Sequence, residues 1–448
     1  MMMSQLRKPG APLPSREDFN GRACLVLGAA RSGLAAAERL ATWGAQVTVY
    51  DRNPERLLNL EGDYATLTGP ELPSFEAYRW VIQSPGVPVP THSSVVPEVD
   101  LAALALRAPS IGVTGTNGKS TTTVLIGAML KGSGMPVEVG GNLGTPLCVL
   151  GDRSADWVVV ELSSFQLEHA RWLHPRVAVL LNLADDHLDR HHTLAAYGAA
   201  KERLAELLEP EGILVFNLDD AWAAGVAARL ERRGALGFST RNRPARGAYL
   251  EGDELVLAPA GNALLRIPLE NVGPSLRAHP GNVLASMLAA DAAGASHEAI
   301  REVVESFQGL PHRAQVVDVK AGVTYVDDSK ATNPHAAIAS LASAKGPIVW
   351  LAGGANKGLD FKELAIAAER ARVAIVYGQC APELAAALQG HTEVVRTQTL
   401  EQAVHEAARR AHPGDVVLLS PACASFDQFT NFEARGDHFA AVVRALPC

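Results

Sequence analysis

The chain has 448 residues, 48% of them apolar and only 5% aromatic, too long for one core and suited to about two to four packed α/β domains. A formal net charge of −8 gives no electrostatic footprint for nucleic acid or an anionic membrane. No apolar run approaches the ~20 residues of a membrane span, and the N-terminal stretch lacks an apolar signal region, so a cytoplasmic location is expected.

Five scattered cysteines (Cys24, Cys148, Cys380, Cys423, Cys448) form no CxxC pair, which fits a reducing compartment and provides neither a disulfide framework nor a zinc site. From the N-terminus, residues 23–28 (Ala-Cys-Leu-Val-Leu-Gly) predict a buried strand, followed by a turn to Gly33 and a helix through Ala41. A second strand over 47–50 ends at Asp51. This is a βαβ opening of dinucleotide type with an acidic residue about 20 positions beyond the glycines. Ala30 stands where the fingerprint wants its second glycine, so a structural βαβ, a different nucleotide at the same strand ends and a NAD site all stay open. Another strand starts at Trp80, and the proline-rich residues 88–97 suggest a linker.

The most informative stretch is Ile-Gly-Val-Thr-Gly-Thr-Asn-Gly-Lys-Ser-Thr-Thr-Thr at 111–123, which leads into an apolar helical run. Strand, glycine loop and helix in that order make a phosphate cradle. Gly112, Gly115 and Gly118 allow backbone N–H groups to face an anion, and the helix adds its positive end. Lys119 can reach the outer phosphates, and Ser120 or Thr121 can hold magnesium. The spacing differs from the usual phosphate loop, since Val113 occupies the place of its first glycine. The bland reading is a glycine turn opening a helix.

Residues 140–146 read as a loop. Strands over 157–162 and 177–183 deliver Glu161 and His187 to their carboxyl ends, where ligands of open α/β sheets collect. Taken singly these are ordinary caps or loop charges; together with the glycine loop they form an oxygen-rich set fit for a hard cation, which a histidine can join. Lys201, on the helix over 194–208, reads as an ordinary solvated lysine. After another strand at 212–217, residues 241–274 predict short antiparallel strands, and a helix opens near Asn282, whose plain role is a cap region. Beyond Gln308 the βα alternation restarts, with polar loops around Asp328/Lys330 and Ser425/Phe432 and Arg313 at the joint. This pair of loops points to a second anionic substrate. The expected fold class is α/β with three domains: a Rossmann-like N-terminal domain (1–97), a central P-loop ATPase-type mononucleotide-binding domain (98–309) and a Rossmann-like C-terminal domain (310–448).

Six segments together resemble the Mur ligase family over nearly the whole chain: Gly-Thr-Asn-Gly-Lys-Ser-Thr at 115–121, Glu-Leu-Ser-Ser-Phe-Gln-Leu-Glu at 161–168, Asp-His-Leu-Asp-Arg at 186–190, Gly-Leu-Pro-His-Arg at 309–313, Asp-Asp-Ser-Lys-Ala-Thr-Asn at 327–333 and Ser-Pro-Ala-Cys-Ala-Ser-Phe-Asp-Gln-Phe at 420–429. The last two are similar to those of the members that add D-glutamate, and the Asp-Asn-Pro-Arg-type loop of the diaminopimelate- or lysine-adding members is missing. The resemblance implies an ATP-dependent ligase of peptidoglycan precursor synthesis that phosphorylates the alanyl carboxylate of UDP-MurNAc-L-Ala and joins D-glutamate to it.

It further implies ATP contacts from Gly115, Thr116, Asn117, Gly118, Lys119, Ser120, Thr121, Asn282, Arg313 and Asp328. Two Mg2+ ions would be held by Ser120, Glu161, His187 and a carbamylated Lys201, and Lys119, Glu161, His187 and Lys201 would carry the catalysis. Substrate contacts are implied for Ser32, Asp51, Arg52 and Gly86 (uridine nucleotide), for Asn142, and for Lys330, Thr332, Lys357, Ser425 and Phe432 (D-glutamate and the γ-phosphate region). The expected partners are thus small molecules and the chain a monomer, with no nucleic acid and no membrane insertion. One departure is visible: where the family carries His-Asn-x-x-Asn, this chain has Gly281-Asn-Val-Leu-Ala285, so the second asparagine of the adenine contact is absent. Three rival readings are a folylpolyglutamate synthase-type ligase, a NAD-dependent oxidoreductase and a non-catalytic nucleotide-binding regulator. The Asp-Ser-Lys-Ala-Thr-Asn loop argues against the first, the second leaves the central motifs unexplained, and the two-metal set Ser120, Glu161, His187 and Lys201 speaks against the third.

Overall fold

Short β-branched runs bounded by glycine or proline become the strands of three sheets. The computed structural model describes residues 13–447 except 59, 61, 91, 152–154, 232, 233, 274 and 357. The first sheet comprises β1 (Ala23–Leu27), β2 (Gln46–Tyr50), β3 (Ala65–Leu67), β4 (Trp80–Gln83) and β5 (Val95–Pro97), all parallel in the order β3-β2-β1-β4-β5. The order reverses between β1 and β4, the switch point outside whose strand ends ligands of open parallel sheets collect. Residues 95–97, expected as linker, instead form edge strand β5: Val95 and Val96 suit a pleated surface, and Pro97 is tolerated at the edge.

The second sheet has nine strands: β6 (Ser110–Thr114), β7 (Val137–Gly141), β8 (Trp157–Glu161), β9 (Val177–Leu180), β10 (Ile213–Asn217), β11 (Leu236–Ser239), β12 (Gly247–Glu251), β13 (Glu254–Ala258) and β14 (Leu265–Pro268). Their order is β14-β13-β12-β11-β10-β9-β6-β8-β7, antiparallel only at β12–β13–β14. β6, buried throughout between β8 and β9, points its carboxyl end into the glycine loop. Gly112 lies within this strand rather than in the loop, and a side chain there would meet Leu204 Cδ1 at 2.6 Å. It serves close helix–sheet packing, not anion binding. Residues 140 and 141, expected in a loop, belong to β7.

The third sheet contains β15 (Gln315–Lys320), β16 (Val323–Asp327), β17 (Ile348–Gly353), β18 (Ala371–Tyr377), β19 (Glu393–Arg396) and β20 (Val416–Leu419), in the order β15-β16-β20-β17-β18-β19. Only β15 runs antiparallel, against β16. Its central strands are apolar on both sides, as a sheet covered on two faces requires.

The chain divides into two compact units, residues 1–182, 198–268 and 281–303 in one and 183–197, 269–280 and 304–448 in the other. Within the first unit one apolar cluster runs from the first sheet into the second. Two buried polar contacts join them: Arg39 Nε donates to Cys148 O at 2.8 Å, and Asp100 Oδ1 accepts from the N–H groups of Arg171 and Trp172, both at 2.8 Å. Among the described residues no helix is long and apolar enough to cross a membrane.

Glu98, at the start of the short helix Glu98–Ala103, is fully enclosed, and neither carboxylate oxygen has a hydrogen bond of ordinary geometry. Burial pushes its carboxyl up to about 7, and Cys148 and Gln166 offset only part of that. The folded chain therefore keeps this proton up to about pH 7, whereas an unfolded glutamate releases it near 4.5. The stabilising contribution is complete below pH 4.5 and is lost as pH rises through 7. Glu98→Gln should abolish that slope in urea unfolding of the first unit, gaining about 3 kcal/mol relative to the native chain between pH 4.5 and 8. Identical pH profiles for the two proteins would contradict it.

Candidate active site

The glycine loop is built by two glycines and held by two asparagines. Gly115 (φ +156°) leaves no room for a side chain, since a Cβ would stand 2.8 Å from Leu181 Cβ. Gly118 (φ +84°) caps the helix Lys119–Gly132 in a left-handed conformation with the Asn282 amide against it, where a Cβ would collide. Asn182, which sequence reasoning passed over, straps the loop: its carbonyl accepts from Thr116 N at 2.8 Å and its Oδ1 from Asn117 N at 2.9 Å, while its Nδ2 donates to Asn117 O at 3.1 Å. Its signal was a polar residue directly after a buried strand.

Lys119 folds back over the loop, donating to Gly115 O at 2.8 Å and Thr116 O at 2.7 Å. Lys201 is only 1% exposed and also donates to Gly115 O, at 2.8 Å. The solvated lysine expected from periodicity is therefore buried at the root of the loop. Beside it Glu161, likewise buried, accepts from Ser120 Oγ at 2.5 Å and from Asn142 Nδ2 at 2.7 Å. Gly141 makes the Asn142 turn possible, as φ +98° and the nearby Glu161 carbonyl exclude a side chain. The structure thus gathers Gly115, Thr116, Asn117, Gly118, Lys119, Ser120, Glu161, Asn142, Lys201 and Asn282 around one loop; Thr121 follows on the helix, half-buried. Ala285 is fully buried and offers no polar atom to a base.

At the first sheet, Ser32, Asp51, Arg52 and Gly86 lie just beyond the carboxyl ends of β1, β2 and β4. Asp51 is already engaged, accepting from Ala29 N at 2.8 Å and Asn53 N at 2.9 Å. Burial acts to raise its carboxyl, but the Asn53 and Ala29 N–H groups and Arg56 bring it below the ordinary value.

In the second unit, His187 takes a left-handed backbone (φ 54°) ahead of a single helical turn, and its N–H donates to Asp186 Oδ1 at 2.9 Å. Asp186 in turn accepts from Asn333 Nδ2 at 3.2 Å. Asp328 accepts from Ala314 N at 3.3 Å and from Ser340 Oγ. Burial raises its carboxyl to about 7 against the pull of Ser340 and the Arg313 charge. Lys330 Nζ sits 3.7 Å above the Phe432 ring centroid, a cation–π contact. Thr332 N donates to Lys330 O at 2.8 Å, and Ser425 is buried in the loop after β20. Lys357 lies outside the described residues. His312 and Asp327, paired at 2.7 Å and both buried, were given no role by the sequence, although both sit inside recognised motifs.

A family model described as the Mur ligase middle domain matches residues 113–275, and one described as the Mur ligase, glutamate ligase domain matches residues 312–423. Over 96% of its length the chain is 40% identical to the UDP-N-acetylmuramoylalanine–D-glutamate ligase of Pelotomaculum thermopropionicum, covering 99% of that protein. The chain belongs to the Mur ligase family. It is accordingly an enzyme, a ligase. Its fold is similar to a pseudomurein peptide ligase type C from Methanothermus fervidus (TM-score 0.64, 18% identity, 95% of this chain and 99% of that one). It is also similar to a MurF ligase from Thermotoga maritima in complex with ADP (TM-score 0.60, 21% identity, 82% and 90%).

The donor chemistry of this Mur ligase fits what the loop would hold. Gly115 and Gly118 leave the space that a phosphate needs, and the Ser120 hydroxyl with the Glu161 carboxylate is an oxygen pair of the kind magnesium takes. Among the described residues no group of three or more His, Cys, Asp or Glu forms a ready-made metal site. A hydroxyl and a carboxylate completed by phosphate oxygens form no such group. Asn182→Ala removes two side-chain hydrogen bonds that shape the loop, each worth about 1 kcal/mol net. ADP affinity in a fluorescence titration should fall about tenfold or more while the thermal transition persists; unchanged affinity would remove Asn182 from the account.

Proposed function

We propose that this Mur ligase joins D-glutamate to UDP-N-acetylmuramoyl-L-alanine, with ATP as phosphoryl donor, in peptidoglycan precursor synthesis in the cytoplasm. The observation that carries the reading is the glycine loop with Glu161 held between Ser120 and Asn142, in a chain 40% identical over nearly its full length to the UDP-N-acetylmuramoylalanine–D-glutamate ligase of Pelotomaculum thermopropionicum. The ADP complex of the similarly folded MurF ligase supports the choice of nucleotide.

A carboxylate is a poor acyl donor because its leaving group would be oxide. An alanyl carboxylate oxygen therefore attacks the γ-phosphorus, the bond to ADP breaks, and an acyl phosphate results. The D-glutamate nitrogen then attacks the acyl carbon, phosphate leaves, and an amide and a proton remain. Loose phosphoryl transfer needs positioning and charge neutralisation above all. In this reading the loop N–H groups and Lys119 receive the β- and γ-phosphates, Lys119 exchanging its contacts to Gly115 and Thr116 for phosphate oxygens. Asn142 orients the donor substrate. Ser120 and Glu161 would hold one magnesium ion, and His187 with a carbamylated Lys201 a second; the ions would neutralise phosphate charge as it shifts.

The three-part division at 1–97, 98–309 and 310–448 follows the same assignment. Ser32, Asp51, Arg52 and Gly86 would line the uridine nucleotide site, Asp51 through the turn it braces. Arg313 and Asp328 would contact the ATP ribose and phosphates. Lys330, Thr332, Lys357, Ser425 and Phe432 would receive D-glutamate.

The test is phosphate release from ATP with UDP-MurNAc-L-Ala, magnesium and bicarbonate, adding D-glutamate, L-glutamate, L-lysine or meso-diaminopimelate separately. Turnover with D-glutamate alone is expected. A different preferred amino acid would overturn the acceptor assignment, and no turnover with any of them would overturn the ligation itself. Carbon-13 NMR after incubation with labelled bicarbonate should show a carbamate signal that Lys201→Ala lacks.

A further inference from the structure

Arg435 is 1% exposed, among the largest enclosed side chains of the described residues. A guanidinium stays charged at every relevant pH, and enclosing it is costly unless its donors are met. Here they are met without a carboxylate. Nε donates to Ser329 Oγ at 2.9 Å, Nη2 to Ser329 O at 2.8 Å, and Nη1 to Cys423 O at 3.0 Å and Gly353 O at 3.4 Å. Among the described residues it forms no ion pair.

The acceptors are placed with purpose. Ser329 follows β16, Gly353 ends β17 and Cys423 follows β20, adjacent strands of the third sheet. One planar fork thus ties together three strand-end loops. Two of the three ties lie one or two residues from a proposed acceptor contact, since Lys330 follows Ser329 and Ser425 lies two beyond Cys423, and Phe432 precedes Arg435 by one helical turn. The tie is closed a second time, because Ser329 Oγ donates to Phe432 O at 2.8 Å. A Cβ on Gly354 would collide with the Ala424 carbonyl and come within 3.1 Å of Nη1, so no side chain fits between this loop and the guanidinium.

We infer that Arg435 is a positioning residue for the acceptor amino acid: its fork sets the relative placement of the loops bearing Lys330, Thr332, Ser425 and Phe432. Affinity for a dicarboxylic acceptor then depends on it, and activation of the donor carboxylate does not. The inference rests on the acceptor assignment proposed above. Lysine at this position would keep the charge but has a single nitrogen, which cannot reach three loops at once. Arg435→Lys therefore separates the fork from the charge.

Two measurements on the full chain test this. One is the KM for D-glutamate in coupled phosphate release. The other omits D-glutamate and supplies hydroxylamine, whose nitrogen attacks the acyl carbon while the bond to phosphate breaks, giving a hydroxamate, phosphate and a proton. Arg435→Lys should raise the KM by about tenfold or more, as two lost hydrogen bonds would, while hydroxamate formation stays within about twofold. An unchanged KM in a folded variant overturns the inference, and so does a parallel loss of both activities, which marks a merely structural role. If the native chain forms hydroxamate but ignores D-glutamate, the acceptor assignment fails instead. Should Arg435→Lys not fold, Ser329→Ala, which removes one acceptor and keeps the guanidinium, must raise the KM by a few-fold with hydroxamate formation retained; no change there overturns the inference equally.

Discussion

Two lysine nitrogens converge on one carbonyl oxygen, that of Gly115, with Lys119 and Lys201 each donating at 2.8 Å. Lys201 reaches it from the buried face of the helix Leu194–Glu206 and Lys119 from the first turn after the loop. The arrangement needs Gly115 in a conformation that a side chain would forbid, Asn182 strapping the loop from the next strand, and Gly112 thin enough for the Lys201 helix to approach. Much of the first unit serves to keep one carbonyl where two lysines can reach it.

The second unit solves a similar problem with the opposite economy. A single guanidinium is fed by the carbonyls and hydroxyl of three strand-end loops, and His312 is fixed against Asp327 beneath them at 2.7 Å. Gly436, next to Arg435, is bare because a Cβ would collide with the His312 ring. The segment around Phe432 therefore reads as a packing instruction as much as a binding one: the helix Phe432–Ala445 presents an aromatic ring, then a buried fork, then a gap for an imidazole.

Features that follow from local pattern are legible in the residues themselves. The strand, glycine loop and helix at 110–132 and the strand-end positions of Glu161 and His187 rest on periodicity of two and on glycine punctuation, which act over a few residues. The short antiparallel strands after residue 241 are legible for the same reason. What cannot be read locally is set by distant partners. Lys201 looks like any surface lysine because its burial depends on Gly115, far away in sequence. Asn182 closes a strand and gains its role only when β9 pairs beside β6. Strands β15 and β19 escape notice because their faces are largely polar or exposed. β5 reads as linker from its prolines, yet proline is excluded from strands only where its missing N–H would be needed.

The same distinction explains why the family motifs are informative. Gly-Thr-Asn-Gly-Lys-Ser is partly a local instruction, since its glycines and helix start need no partner to be read. Asp-Asp-Ser-Lys is not: its residues make sense only when β16 and β20 lie side by side and Ser329 meets Arg435. A motif whose members satisfy one another across a sheet constrains the fold more tightly than one satisfied within a turn. Changing one member leaves a buried partner uncompensated, at a cost larger than the bond itself was worth. On that argument the loops after β16 and β20 must vary together, and the chemistry of the acceptor they receive is tied to the packing of the helix behind them.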